Sequence, residues 1–379
     1  MQDLTIIPAS NAALPDAPMR LKHWIGGAWV DSADGATSVR YSPAHGVPVS
    51  VAAKGGRLEA EAAIAAARAA FDTGAWSRTS GKDRATLLLR VADLIDRDRA
   101  AIALQEVLES GKPITQAMAE IEGAADIWRY AAALARTLHG DSHNSLGPDM
   151  LGLVLKEPIG VVSLITPWNF PFLIISQKLP FALAAGCTAV VKPSELTPGT
   201  TVMLGKLLAE AGLPDGVVNI VLGYGEPVGA VLSSDPRVDM VSFTGSTAVG
   251  KRISAAASAT LKKVSLELGG KNPQVIFADA DLDQAADAIA FGVYFNAGEC
   301  CNAGSRIIMQ ASIAAALTEK IVALSRKVPF GDPLNPPTKV GAIISTAHQA
   351  KIDGYLQQAA AARATVALGG TALSITRLS

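Results

Sequence analysis

Four short apolar runs in the middle of the chain constrain its fold most strongly. They are rich in β-branched residues and are separated by helical segments: GVVSLI (160–165), CTAVV (187–191), VVNIVLG (217–223) and MVSFTG (240–245). Strands that alternate with helices are typical of a parallel sheet with crossover helices. Because ligands of such sheets bind at the carboxyl ends of the strands, we expect a binding site in the loops that follow these runs.

The four loops contain residues suited to binding a ligand. They read TPWNFP (166–171), KPSELTP (192–198), GYGEPVG (223–229) and FTGSTAVG (243–250). The third is similar to the glycine fingerprint for dinucleotides but is one residue longer, and turn glycines are the simpler interpretation. In the fourth, a Ser-Thr pair opens a helix, so free backbone N–H groups would face an anion. A helix N-cap without a ligand is the alternative there.

The region before these runs has a helical pattern from residue 56 to about 137. One alanine- and leucine-rich run ends at Gly111 and Pro113, which together form a typical helix stop. The stretch HGDSHNSLGPDM (139–150) follows, and its glycine, proline and polar residues predict a loop.

Charge and cysteine content exclude several classes of protein. The 33 basic and 34 acidic residues give a net charge of -1 without a basic block, so nucleic acid and anionic membranes are not expected as partners. The N-terminus lacks a signal-peptide pattern, and no apolar run is long enough to cross a bilayer. Three cysteines, one of them in the apolar run AAGCTAVV, argue against a disulfide framework. We expect a soluble cytoplasmic protein, and no metal ligands are assigned.

Two of the three cysteines, Cys300 and Cys301, are adjacent in FNAGECCNAGSR (295–306). This segment and four others follow the order and approximate spacing of the NAD(P)-dependent aldehyde dehydrogenases, which the chain resembles. The other four are TPWNFP, KPSE, FTGSTAVG and LELGGKNP (266–273). Lesser matches run from IGGAW (25–29) to FGDPLNP (330–336), so the resemblance covers roughly residues 20 to 370.

The resemblance implies an α/β fold of two domains. Residues 1–265 would form a Rossmann-type NAD-binding domain with a parallel sheet, interrupted near 135–150 by an oligomerisation segment. Residues 266–379 would form a second, incomplete α/β catalytic domain. The tail TALSITRLS (371–379) lacks the pattern that usually continues the family, so we expect a C-terminally truncated chain. The family forms homo-oligomers, but a strand used in subunit pairing would be missing here.

The resemblance also implies catalytic roles. Cys301, three residues after Gly298, corresponds to the nucleophile, and a thiolate adds readily to a carbonyl carbon. Glu267 corresponds to the general base, and Asn169 to the residue whose amide N–H stabilises an oxyanion. Without the motifs, a buried inert cysteine pair, an exposed ion-paired glutamate and a turn asparagine are the alternatives. We interpret Cys300 as a half-buried structural neighbour of the nucleophile.

The cofactor implied by the resemblance is NAD. Its contacts would come from Thr166, Pro167, Trp168, Lys192, Ser194, Glu195, Gly225, Gly229, Phe243, Thr244, Gly245, Ser246, Val249, Gly250 and Leu268. Glu195 would accept hydrogen bonds from ribose hydroxyls and repel a 2′-phosphate, which favours NAD over NADP. Lys178 matches a family lysine near the site, and the alternative is a lysine on a helix surface.

The expected reaction is oxidation of an aldehyde to a carboxylic acid through a thioester on Cys301. Two alternatives remain at this point. A thiol-dependent ester hydrolase would use Cys301 and Glu267 without a cofactor, and a truncated chain would keep the fold but have impaired catalysis. Glu299 stands where the family usually has Gln, and a carboxylate beside the nucleophile would oppose formation of the thiolate.

Overall fold

A seven-stranded sheet is the centre of the computed structural model, which describes residues 4–11 and 14–371. The chain begins with six short strands: β1 (Ile6–Ile7), β2 (Met19–Leu21), β3 (His23–Ile25), β4 (Ala28–Val30), β5 (Thr37–Tyr41) and β6 (Pro48–Ala53). Strands β3 and β4 form an antiparallel hairpin at one edge of the large sheet. Strands β2, β6 and β5 form a separate three-stranded sheet.

Three helices follow and confirm the helical pattern predicted for this region: α1 (Arg57–Asp72), α2 (Gly81–Ser110) and α3 (Ile114–Thr137). Helices α2 and α3 pack against each other through buried Leu88, Ile95, Ile121 and Trp128. The predicted stop is confirmed, because α2 ends at Gly111, whose φ of 83° is left-handed.

The predicted loop at 139–150 is wrong in part. Part of this stretch forms strand β7 (Asp141–His143), which pairs with β8 (Gly152–Val154), just beyond the stretch, in an antiparallel hairpin. Each strand has only three residues, too few for alternating apolar and polar side chains to be recognised in the sequence. Leu151 and Leu153 of this hairpin are exposed.

Next come the parallel strands and their crossover helices. They are β9 (Val161–Ile165), α4 (Pro171–Ser176), α5 (Leu179–Ala185), β10 (Thr188–Lys192), α6 (Gly199–Ala211), β11 (Val218–Ile220), α7 (Ala230–Ser234), β12 (Met240–Gly245), α8 (Thr247–Ser258) and β13 (Lys263–Leu268). The four predicted strands are confirmed, and β13 adds a fifth. The order across the sheet is β13-β12-β9-β10-β11-β3-β4, and β9 to β13 are parallel.

Both faces of this sheet are covered at its central strand β9. Val162 and Leu164 of β9 belong to one core with α2 and α3, whereas Val161 and Ile165 belong to a second core with α1 and α8. The order of the strands reverses beside β9, since β10 lies on one side of it and β12 on the other. Ligands of doubly wound sheets bind at such a reversal, outside the carboxyl ends of the strands.

The last part of the described chain has a smaller core of its own. Its elements are β14 (Pro273–Ile276), α9 (Leu282–Tyr294), β15 (Arg306–Met309), α10 (Ala314–Lys327), β16 (Phe330–Gly331) and α11 (Thr346–Ala361). Strands β14 and β15 pair in parallel, and Ile289 of α9 and Leu317 of α10 share one buried cluster. The division near residue 265 stays a prediction, and residues 372–379 of the tail lie outside the described residues.

None of the helices that the structure describes is long and apolar enough to cross a membrane.

Two left-handed glycines give a matched test of how tightly this fold is packed. A Cβ on Gly111 would lie 2.9 Å from the Ala342 carbonyl oxygen and 3.0 Å from Pro43, whereas a Cβ on Gly212, at the end of α6, would meet nothing within 4 Å. Both substitutions to alanine should cost roughly 1–2 kcal/mol because of the positive φ. Gly111→Ala should lose roughly 1–3 kcal/mol more through overpacking. Urea unfolding of both variants measures this difference, and equal losses would contradict it.

Candidate active site

Strand pairing brings the predicted site residues to one edge of the large sheet. Thr244 of β12 lies beside Glu267 of β13, and Lys192 of β10 lies beside Ile165 of β9. The backbone N–H of Thr166 donates to the Lys192 carbonyl over 3.0 Å. The carboxyl ends of four parallel strands therefore meet at this edge.

A cavity of about 740 Å³ opens along one face of the sheet at this edge. Its lining includes Cys300, Cys301, Glu267, Thr244 and Lys178. The remaining lining is mainly apolar and includes side chains of β9, α4 and α5. The structure thus brings the predicted nucleophile and the predicted base to one cavity, although they are far apart in the sequence.

The loop that carries the cysteines has an unusual backbone. After α9, three consecutive residues are left-handed: Asn296 with φ 49°, Ala297 with φ 55° and Gly298 with φ 76°. Residues other than glycine rarely adopt such angles, and they occur preferentially at functional sites. The turn is closed by the Glu299 N–H, which donates to the Asn296 carbonyl over 2.9 Å. The two cysteines follow directly, and both are half-buried.

Asn169 is held against this loop by hydrogen bonds in both directions. Its side-chain Nδ2 donates to the Glu299 carbonyl over 2.6 Å, and Asn296 Nδ2 donates to the Asn169 carbonyl over 2.9 Å. An asparagine amide has two N–H groups, so a second donor remains for a ligand. The predicted oxyanion donor and the cysteine loop are therefore in direct contact.

Burial disfavours the thiolate form of Cys300 and of Cys187. Burial, with the neighbouring Cys301 and Glu120, raises the pKa of Cys300 to about 11. Burial also raises the pKa of Cys187, which is fully covered at another part of the cavity wall. Because the thiolate is the reactive form, Cys301 is the strongest candidate nucleophile of the three.

Glu267 and Lys178 line the cavity from different elements. Glu267 is exposed, and it forms no ion pair with any residue that the structure describes. Lys178 is half-buried between α4 and α5 and donates to Ser242 Oγ over 2.7 Å. Burial lowers the pKa of Lys178, although the nearby Glu267 opposes that shift. Lys178 is thus a residue of the site rather than a lysine on a helix surface.

The predicted nucleotide-binding residues of β10 lie farther along the same edge. Lys192 is buried, its Nζ donates to the Pro193 carbonyl over 2.9 Å, and it lies 3.8 Å from Glu195 Oε2. Burial lowers the pKa of Lys192. Ser194 Oγ accepts from the Leu196 N–H over 3.2 Å, and a Cβ on Gly229 would lie 3.8 Å from the Lys192 side chain. Lys192, Ser194 and Gly229 are thus within one small region, whereas Gly225 is exposed in the adjoining turn.

The start of α8 has the predicted N-cap. Ser246 Oγ accepts from the Val249 N–H over 3.3 Å. A Cβ on Gly250 would lie 2.8 Å from the Leu268 side chain, so the missing side chain lets α8 approach β13 closely. A Cβ on Gly245 would overlap the Phe243 ring. The cap itself is present, and whether an anion also binds at this helix start stays a prediction.

Pro167 and Trp168 lie between β9 and Asn169 and are half-buried. The Trp168 ring contacts the His348 ring edge-on, with centroids 5.1 Å apart.

Sequence reasoning did not identify Gln116 or Asn296 as residues of the site. Gln116 Oε1 accepts from the Asn296 backbone N–H over 3.2 Å, although the two residues are 180 positions apart. A polar residue on a helix gives no signal for such a contact. Asn296 did lie in a motif, but nothing in the motif indicated a left-handed backbone.

Comparisons with known proteins agree with the fold and with the order of the motifs. A model of the aldehyde dehydrogenase family matches residues 29–377. The betaine aldehyde dehydrogenase of Bacillus subtilis is 41% identical over 334 residues, which are 88% of this chain and 68% of that protein. Retinal dehydrogenase 2 of Gallus gallus is 40% identical over 379 residues, which are 98% of this chain and 72% of that protein.

Solved structures are similar over nearly the whole chain. An NAD-dependent aldehyde dehydrogenase from Sinorhizobium meliloti has a TM-score of 0.95 and 51% identity, and the match covers 97% of this chain and 74% of that one. A betaine aldehyde dehydrogenase from Staphylococcus aureus in complex with NAD+ has a TM-score of 0.92 and 40% identity, and the match covers 94% of this chain and 71% of that one.

Glu299 gives the site a testable pH dependence. Its carboxyl is 6% exposed, accepts from the Ile344 N–H over 3.1 Å and lies 3.7 Å from His348 Nε2. Burial raises its pKa from 4.5 to about 8. Between these two values the unfolded chain is ionised at Glu299 while the folded chain must keep the proton, so stability falls as the pH rises through this window.

Glu299→Gln should therefore flatten the loss of stability between about pH 5 and pH 8, because the amide stays neutral. The glutamine carbonyl also keeps the acceptor for the Ile344 N–H. Urea unfolding midpoints of both proteins across this range measure the effect. Equal slopes for the two proteins would show that Glu299 ionises as an ordinary glutamate.

Proposed function

The chain belongs to the aldehyde dehydrogenase family, and we propose that it oxidises an aldehyde to a carboxylic acid with NAD and water, using Cys301 as the nucleophile. One observation carries this proposal. Cys301 and Glu267 line one cavity at the carboxyl ends of the parallel strands, and Asn169 is hydrogen-bonded to the cysteine loop. Acyl transfer requires a nucleophile, a base and an oxyanion donor close to one another, and the hydrogen bond from Asn169 places it next to the loop that carries Cys301.

In the first step, Cys301 Sγ adds to the aldehyde carbon, a C–S bond forms, and the aldehyde oxygen takes the negative charge. The second N–H of Asn169 and the backbone N–H of Cys301 donate to that oxygen. In support, the Cys301 N–H donates to no backbone carbonyl within residues 4–11 and 14–371. Loss of one such donor typically lowers the rate by about two to three orders of magnitude.

The residues at the strand ends fit a dinucleotide. The hydroxyls of Thr166 and Thr244 are buried without a hydrogen-bond partner among the described residues, so they are available to a ligand. Lys192 and Glu195 would hold the adenosine ribose, and the start of α8 after Ser246 offers backbone N–H groups to the diphosphate. When bound, NAD supplies a hydride acceptor for the carbon attached to Cys301. Glu195 favours NAD over NADP, because its carboxylate would repel a 2′-phosphate.

Glu267 acts after the oxidation. It accepts a proton from a water molecule, whose oxygen attacks the thioester carbonyl carbon. The C–S bond then breaks, Cys301 leaves as the thiolate, and the carboxylic acid departs. Exposure of Glu267 at the cavity wall supports this role, because water can reach it directly. One aldehyde, one NAD and one water thus give one carboxylate, one NADH and two protons.

Association of copies through the 135–150 region is also part of the proposal. Its support is the exposed apolar surface of the hairpin, with Leu146, Met150 and Leu151 all more than half exposed. Surfaces of this kind are common at interfaces between subunits.

Glu267→Gln tests the proposal. The amide cannot take a proton from water, so aldehyde and NAD should give a burst of about one NADH per active site followed by a slow steady rate. Glu157→Gln is the matched control, since Glu157 lines the same cavity but lies before β9, away from the strand ends. Stopped-flow absorbance of NADH measures both variants. A protein that cleaves activated esters without NAD and reduces no NAD with any aldehyde would instead be a thiol-dependent ester hydrolase.

A further inference from the structure

Asn296 is buried and polar, yet the proposed chemistry does not use it. Its exposed fraction is 3%, and its backbone has the left-handed φ of 49°. Its side-chain amide donates to the Asn169 carbonyl, and its backbone N–H donates to Gln116 Oε1. The side-chain bond thus goes to Asn169, the predicted oxyanion donor, and the backbone bond goes to α3.

We propose that Asn296 is a positioning residue that fixes the direction of the Asn169 amide toward the carbonyl oxygen of the substrate. This inference rests on the proposed function, in which Asn169 donates to that oxygen. In the proposed reaction, Asn296 contacts neither the reacting atoms nor the cofactor. It acts on catalysis only through Asn169.

Three hydrogen bonds form a closed circuit around Asn169. Asn296 Nδ2 donates to the Asn169 carbonyl over 2.9 Å, Asn169 Nδ2 donates to the Glu299 carbonyl over 2.6 Å, and the Glu299 N–H donates to the Asn296 carbonyl over 2.9 Å. The first bond holds the Asn169 backbone and the second holds its side chain. Because both ends are fixed to one turn, the free N–H of Asn169 has a single direction. Such preorganised donors need no rearrangement when charge develops on the substrate.

The circuit is anchored to the long helices. Gln116 of α3 accepts from the Asn296 N–H, and its Nε2 donates to Glu120 Oε1 over 2.8 Å. Glu120 is buried and is ion-paired with Lys112. The side chains of Lys112 and Glu120 are 1% and 6% exposed, so separating the two charges would be costly. The cysteine turn is thus tied to a rigid part of the core.

The same ion cluster holds the other side of the Asn169 segment. Lys112 Nζ also donates to Glu106 Oε1 over 2.8 Å, and Glu106 Oε2 accepts from the Phe172 N–H over 3.3 Å. Lys112 Nζ lies 4.5 Å from the centre of the Phe170 ring. The buried ion cluster therefore contacts the segment that contains Asn169 directly, and it holds Asn296 through Gln116.

The left-handed backbone allows a test that separates positioning from simple turn formation. Glycine adopts positive φ without strain, so Asn296→Gly keeps or improves the turn while it removes the donor to Asn169. Ala297 has φ 55° in the same turn, and its side chain makes no hydrogen bond. Ala297→Gly is therefore the matched control for added backbone freedom.

The measurement is the burst of p-nitrophenol when p-nitrophenyl acetate acylates the protein without NAD. Attack on this ester generates an oxyanion but requires neither the cofactor nor an aldehyde. Asn296→Gly should lower the acylation rate roughly 10- to 100-fold with KM nearly unchanged, measured at a temperature where the variant is still folded, because loss of a buried hydrogen bond also lowers the melting temperature. Ala297→Gly should be acylated at the rate of the unmodified protein.

Acylation of Asn296→Gly at the unmodified rate would overturn the inference and leave the proposed function intact. An equal loss in Ala297→Gly would also overturn it, because flexibility of the turn would then explain both. If the unmodified protein is acylated but reduces no NAD with aldehydes, the proposed function fails. A selective loss in Asn296→Gly under those conditions would still support the positioning role.

Discussion

The pairing of β12 between β9 and β13 is the interaction on which the rest of the site depends. It aligns Thr244 with Glu267 and brings the segment that begins at Thr166 beside both. The carboxyl ends of parallel strands all lie at the same edge of the sheet, so residues more than a hundred positions apart in the sequence meet there. Asn169, which follows β9, and Gln116 of α3 then hold the cysteine loop against this edge through hydrogen bonds. A shift of one residue in this register would turn Glu267 to the opposite face of the sheet.

The buried charges at the junction of α2 and α3 also help to position the loops of the site. Burial of Lys112, Glu106 and Glu120 is costly unless each charge is paired and hydrogen-bonded. The pairing is nearly complete, and the hydrogen bonds that remain go to the Asn169 segment and, through Gln116, to the cysteine turn. The buried charges therefore hold the Asn169 segment and the cysteine turn in position, and they add little to the free energy of unfolding. This accounts for the buried position of Lys112 between α2 and α3, where an apolar residue would otherwise be expected.

Much of the fold was predictable from the sequence because the relevant signals are local. The change from a helical period to short β-branched runs indicates the parallel sheet, and Gly111 marks the end of α2 through its left-handed backbone. The hairpin at 141–154 escaped prediction because its strands are three residues long. The contact between Gln116 and Asn296 was not predictable, since only the packing of α3 against the cysteine loop creates it. The sequence motifs favour Cys301 over Cys300, and the structure adds a physical reason in the raised pKa of Cys300.

The proposed reaction requires Cys301 to carry the acyl group of the substrate. The most direct test is to mix the protein with an aldehyde and NAD, quench in acid within one turnover, and locate the added mass by fragmentation of the peptide that contains both adjacent cysteines. We expect an acyl group on Cys301 that forms only when aldehyde and NAD are both present. An acyl group on Cys300, or one that forms without NAD, would contradict it.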